Sequence, residues 1–452
     1  MKPAKHFTAF AVFALCLVGA GCERQQDQRV EAQNATSAGT TDPLAWLLAP
    51  HEGRGRLDRD IRHCQAQLRA GANPKLALER LGWLFIAKAQ ESFDPGFYRL
   101  AEQCSLCLDA YEPGNLEAML LRGHALQNQH RFSEAEPLAR ELVAKRALPF
   151  DYGLLGDVLM ELGNLPEATD AYQRMIDLRP GPHSYARGAH MRWLKGDLAG
   201  ATELMRAAAE ASSPQDPHTK AWVHSRLAGL HFQAGKTVEA DQACDAALAL
   251  RPDYPPALLL RGRMLLAQAD AVAAIDALQR AVRANPIPEY QWTFAEALRA
   301  AGREAEAARV ESRLRQSGLA TDPRTLSLYL ATRREEAELA VRLAEEEFQQ
   351  RQDVFTHDTL AWALAAAGRL KEAQNHMTRA LAEGTEDARL YLHATVIAAK
   401  DGWHEEAGEW LVKAGALAPL LLPAELAQLE AAAELIAPSK LASIPAANTP
   451  SR

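Results

Sequence analysis

Cys104 and Cys107 are the residues of this sequence best placed for chemistry. Two residues separate them, Cys64 stands upstream, and His63 adjoins Cys64. Thiols with an imidazole suit two tasks, disulfide exchange or the holding of a borderline metal such as zinc. A redox pair of this spacing works at a helix start beside a sheet. Here the pair falls inside a helical segment, and no second pair has ligand spacing. Three readings stay open: a metal or redox carrier using Cys64, Cys104, Cys107 and His63; a structural disulfide involving Cys64; and buried free thiols acting as small apolar side chains. Cys244 reads as packing. Gly235-Lys236-Thr237 has the ending of a phosphate loop, but Leu230 stands where that loop needs glycine and no strand precedes it. His224 and His231 lie two turns apart without a third partner. No catalytic residue, resident metal or cofactor is assigned, and a globular enzyme would need a composite site of histidines and carboxylates that the spacing does not support.

The elements that must position any site are helical. The chain has 452 residues, 48% of them hydrophobic and only 6% aromatic, with alanine abundant. Such a composition suits closely packed helices and suits a sheet poorly. A net charge of −8 argues against a protein that reads the nucleic-acid backbone, which needs a basic face.

A repeat organises the middle of the chain. Its clearest mark is an alanine at positions Ala135, Ala168, Ala201, Ala240, Ala274, Ala307, Ala337, Ala373 and Ala407, with spacings of 33, 33, 39, 34, 33, 30, 36 and 34 residues. A glycine precedes many of them, as in Gly163-Asn164 and Gly302-Arg303, where it suits the left-handed position past a helix end. Pro180, Pro252, Pro286 and Pro419 close helical runs. The first helix of each unit offers a small residue to the second: Gly123, Gly156, Ala189, Ala228, Gly262, Ala295 and Ala361. The 39-residue spacing predicts a longer loop at 212–217, and the 30-residue spacing predicts a shortened unit around 321–350.

Two antiparallel helices per unit of about 34 residues resembles the tetratricopeptide repeat. The resemblance covers 115–419 and, more loosely, the chain from 75. It implies an all-α fold: a tetratricopeptide-type helical-hairpin solenoid, coiled as a right-handed superhelix of about ten hairpins with an open inner groove. In that family the first helix lines the inner face. The residue after the small one would then point inward, giving His124, Asp157, His190, Gly229, Arg263, Glu296 and Trp362. Neighbouring turns add Trp193, Trp222, Phe232, Trp292 and Arg299. Aromatic and arginine anchors mixed with acids suit a groove for a protein or peptide partner; the alternative is that the tryptophans fill gaps between units.

The N-terminus implies export. Lys2 and Lys5 precede an apolar run at 7–18, too short to span a membrane, and Gly19-Ala20-Gly21-Cys22 follows. Those residues resemble the lipobox of bacterial lipoproteins, apart from Gly19, where a branched apolar residue is usual. The resemblance implies lipidation of Cys22 and attachment to the periplasmic side of a membrane, with a lean to the outer one. Ordinary signal cleavage after Ala20 is the alternative. The expected organisation is a signal at 1–21, a flexible tether at 22–55, N-terminal helices and a wide first hairpin at 56–114, the repeat array at 115–421, a capping helix at 422–437 and a disordered tail at 438–452. The expected function is a membrane-tethered interaction scaffold rather than an enzyme, with no nucleic-acid partner.

Overall fold

Proline and asparagine punctuate the chain where its helices begin. Pro149, Pro255 and Pro288 each occupy a first helical position, where a missing N–H costs nothing. Asn73, Asn115 and Asn164 each accept a hydrogen bond from the backbone N–H three residues on. The computed structural model describes residues 43–441. The signal expected at 1–21, Cys22, most of the expected tether and residues 442–452 of the expected tail lie outside the described residues. Among the described residues every regular element is helical. Among the described residues the helices from Pro74 onward follow as first and second helices in turn, from Pro74–Ser92 with Gly96–Tyr111 to Ala388–Lys400 with His404–Ala416.

The chain falls into two units. One holds residues up to 189 with 204–223 and 320–322; the other holds 190–203, 224–319 and 323 onward. In the first unit, the helices Arg56–Arg69, Pro74–Ser92 and Gly96–Tyr111 enclose a core that includes Ile61, Leu78, Leu81, Phe85 and Leu108. The expectation of a tether running to residue 55 is corrected here. A short helix, Pro43–Leu47, buries Leu47 in that core. Gln65 donates to the carbonyls of Leu47 and Ala49 at 2.8 and 2.9 Å, and Arg69 donates to that of Leu48 at 2.6 Å. Those donors answer backbone acceptors that a flexible segment would leave to water.

The repeat register is visible at the start of each second helix. The N–H of the marked alanine donates to the carbonyl four residues earlier: Ala168 to Asn164, Ala240 to Lys236, Ala274 to Asp270, Ala373 to Arg369, and likewise for Ala135, Ala201, Ala307 and Ala407. All eight are fully buried. Ala337 departs from the expectation. It merely opens the helix Ala337–Gln350 and is partly exposed, whereas Ala340 is fully buried and donates to Glu336. With Ala340 in place the spacings of 30 and 36 become 33 and 33, so the unit is not shortened. Its first helix, Pro323–Arg333, is brief, its turn at 334–336 has the same three residues as that at 162–164, and both Arg334 (φ 55°) and Glu336 (φ 44°) take left-handed backbone. Ser327 then fills the small-residue position, and Thr395 does so in the last hairpin; both are shut off from water. The Ser327 hydroxyl donates to the Ala340 carbonyl at 2.7 Å.

The small residues are required by what covers them. A methyl group at Gly156 would stand 2.4 Å from Cε1 of Tyr172, and one at Gly262 would stand 2.4 Å from Cγ of Leu278. Both covering residues lie four positions after the marked alanine, one turn along the second helix. The insertion behind the 39-residue spacing is not all loop, since the helix after it, Pro217–Gln233, has 17 residues against 13 in Pro149–Glu161. At the other end the last helix, Pro423–Leu441, runs beyond the expected boundary at 437, so 438–441 are helical and not tail.

Candidate binding surface

The inward position follows directly from the register, and the structure places every expected groove side chain in a packed or ion-paired setting. In the first unit, His124 is fully buried with its ring 5.4 Å from that of Trp83. Burial, then the nearby Arg187 charge, pushes its pKa well below the ordinary imidazole range. Asp157 accepts two hydrogen bonds from Arg187, at 2.8 and 2.7 Å, and one from the Tyr172 hydroxyl at 2.9 Å. Trp222 is also buried.

In the second unit, His190 lies 5.5 Å from the Trp193 ring, which stacks on Phe355 at 5.5 Å. Burial and the Arg226 charge outweigh Asp353 and push His190 down to about 3. Phe232 is buried. Trp362 stacks on His393 at 4.1 Å and donates to the Thr332 hydroxyl at 3.0 Å. Arg299 is occupied by Glu311 and Glu304, at 2.5 Å each. Trp292 donates to Glu296 at 3.3 Å.

Part of this inner face is covered by the same chain. The 3-10 turn Ala418–Leu420 and the helix Pro423–Leu441 lie across the first helices Pro255–Ala267, Pro288–Ala300, Pro323–Arg333 and Ala388–Lys400. Arg263 donates to the Leu420 carbonyl at 2.9 Å, and Glu296 accepts from the Ala424 N–H at 3.1 Å. Arg389 donates to Glu425 at 2.5 Å while its guanidinium lies 5.2 Å from the Trp292 ring centroid. Gln428 donates to the Thr332 carbonyl at 2.8 Å and accepts from Arg334 at 2.7 Å. Burial works against ionisation of Glu425, but the Arg389 charge, the Leu422 N–H and Arg263 together hold its pKa below the ordinary carboxylate value. Burial raises that of Glu296.

A second closure joins the turn after Pro182–Leu194 to the loop before Ala388–Lys400. Thr385 donates to the Leu194 carbonyl at 2.5 Å, Lys195 pairs with Glu383 at 3.0 Å, and the Gln233 amide meets the Glu386 carbonyl. This unit is thus bridged by its own chain at these places.

The sequence reading missed Arg187, Arg389, Glu425 and Gln428. Glu425 does carry a signal, an acid in the first turn after a proline, but that announces a helix start and says nothing of Arg389 as its partner. The thiol constellation is not assembled as a ligand set. Cys64, Cys104 and Cys107 are buried, whereas His63 faces solvent, 3.1 Å from Gln67. Burial raises the Cys104 thiol well above its ordinary range, which suits packing and not nucleophilicity. Among the described residues no group of three or more His, Cys, Asp or Glu could hold a metal, and no helix is long and apolar enough to cross a membrane.

The tetratricopeptide-repeat family model matches residues 120–185 and 225–286. Among solved structures, the crystal structure of the APC/C hetero-tetramer Cut9-Hcn1 is similar over 82% of this chain, at 14% identity and a TM-score of 0.44. This chain spans 65% of the length of that one. None of the curated proteins matches the chain.

Proposed function

We propose, on the premise that this chain is built of tetratricopeptide repeats, that it is a protein-interaction scaffold held by lipid on Cys22 at the periplasmic side of a bacterial membrane. The observation that carries the reading is the repeat itself: the family match over 120–185 and 225–286, with hairpins whose slot alanines share one hydrogen-bond register. Such arrays work by offering an extended side-chain surface to other proteins, and binding, not catalysis, is their general role. The anchor rests on Gly19-Ala20-Gly21-Cys22 behind a short apolar run. Lipid there would hold the protein firmly, since each buried methylene contributes about 0.8 kcal/mol.

Two measurements test the halves of this reading separately. Cell fractionation should find the wild-type chain with membranes and a Cys22→Ser variant released. A wild-type chain already soluble, or a variant still bound, removes the anchor. Cross-linking in cells followed by mass spectrometry should recover the same envelope protein repeatedly; recovery of none removes the scaffold.

A further inference from the structure

The helix Pro423–Leu441 is seated more specifically than a cap requires. A cap needs only to cover the apolar end of a repeat array, and Leu422, Leu429, Ala432 and Ile436 do supply buried apolar area. Polar groups from four first helices, and Arg334 just after one of them, also reach the segment, and each reads a different group. Arg263 takes a backbone carbonyl, Glu296 a backbone N–H of the first turn, Arg389 the Glu425 carboxylate, and Thr332 with Arg334 both ends of the Gln428 amide. The N–H that Glu296 accepts is one of the donors every helix start leaves unpaired, so this contact recognises a helix beginning as such. The guanidinium groups of Arg263, Arg334 and Arg389 give the seat a charge that selects an acidic helix. Glu425 is fully buried between Arg389 and its own helix start, where the Leu422 N–H donates to it at 2.8 Å.

We propose that the segment 417–441 is an intramolecular ligand, and that its seat on the second unit accepts in exchange a partner helix of the same chemistry. Such a partner has apolar residues and a proline leading into the helix, an acid in the first turn and an amide one turn later. This names the partner class for the scaffold reading and rests on it. The seated segment sets the threshold, because a partner binds only to the fraction of molecules whose own segment has left.

The test uses the full-length chain and a labelled synthetic peptide of residues 417–441, followed by fluorescence anisotropy. Glu425→Ala with Gln428→Ala loosens the chain's own segment and leaves the seat intact. That variant should bind the peptide about tenfold or more tightly than the wild type. Adding Arg263→Met and Arg389→Met should abolish the gain, and a peptide carrying Glu425→Lys should not compete. A folded, loosened chain that takes up no peptide, or that takes both peptides alike, overturns the proposal. Should circular dichroism show the loosened chain unfolded, hydrogen exchange on the wild type decides. Amides of Pro423–Leu441 opening separately from those of Ala388–Lys400 support the proposal, and exchange only in common with them overturns it. Purified chain and peptide suffice, so failure here is distinguishable from failure of the scaffold reading, which the cross-linking experiment decides.

Discussion

Arg187 and Asp157, thirty residues apart on the first helices of consecutive hairpins, close two parallel hydrogen bonds with neither side chain reaching water. Removing one partner strands the other charge in the core. Arg187→Ala should therefore cost about 3–5 kcal/mol, read as a lowered urea midpoint. The double replacement Arg187→Met with Asp157→Leu should recover most of that loss. A single variant as stable as the wild type would show that water reaches the carboxylate.

The corrected register makes a paired prediction. Ala340→Leu forces apart helices that meet at a fully buried methyl and should cost about 1–3 kcal/mol. Ala337→Leu, three residues earlier at a partly exposed helix start, should stay within about 0.5 kcal/mol of the wild type. Thermal melts of the two variants decide between the alanines, and the reverse order would restore the uneven spacing.

Acid should weaken the fold through its buried histidines. His124 and His190 are held neutral, the latter down to about 3, whereas an unfolded histidine titrates near 6.5. Between those values the unfolded chain binds protons that the folded chain refuses, so stability falls as pH falls. His190 should contribute a loss of about 2 kcal/mol between pH 7 and 5, and His124 a loss of the same sign. His190→Gln should flatten the pH dependence of the denaturation midpoint over that range; an unchanged slope would mean that protonated His190 is accommodated.

Gly196 and Gly235 separate two costs of adding a methyl group. Both hold left-handed backbone, at φ 76° and 69°. At Gly235 nothing lies within 4 Å, so alanine should cost only the conformational penalty of about 1–2 kcal/mol. At Gly196 the added carbon would also stand 2.6 Å from the Gly384 carbonyl oxygen. Gly196→Ala should thus lose about 1–3 kcal/mol more than Gly235→Ala. Equal losses in equilibrium unfolding would mean that the turn and the loop do not touch in solution.

The repeat was legible because its constraints are local. An alanine, a turn glycine and a small residue each answer a contact within one hairpin or its neighbour, and such contacts recur at a fixed spacing. Ala337 misled because an alanine at a helix start looks the same in sequence as one at a helix crossing; only burial separates it from Ala340. Ser327 and Thr395 were passed over because their small size is masked by a hydroxyl group that the backbone satisfies. Arg263 and Glu296 meet the Leu420 carbonyl and the Ala424 N–H. What meets them lies 157 and 128 residues further along, and no periodicity reports a contact of that range.

The bond from Thr385 to Leu194 spans 191 residues, far beyond the reach of contacts between neighbouring hairpins. Closing so long a loop costs about 1.5 kcal/mol more entropy than closing one of a single repeat. Its formation must come late, after the intervening hairpins have shortened the search. Once made, it couples the melting of distant repeats, so the second unit should lose structure as a block instead of fraying hairpin by hairpin from one end.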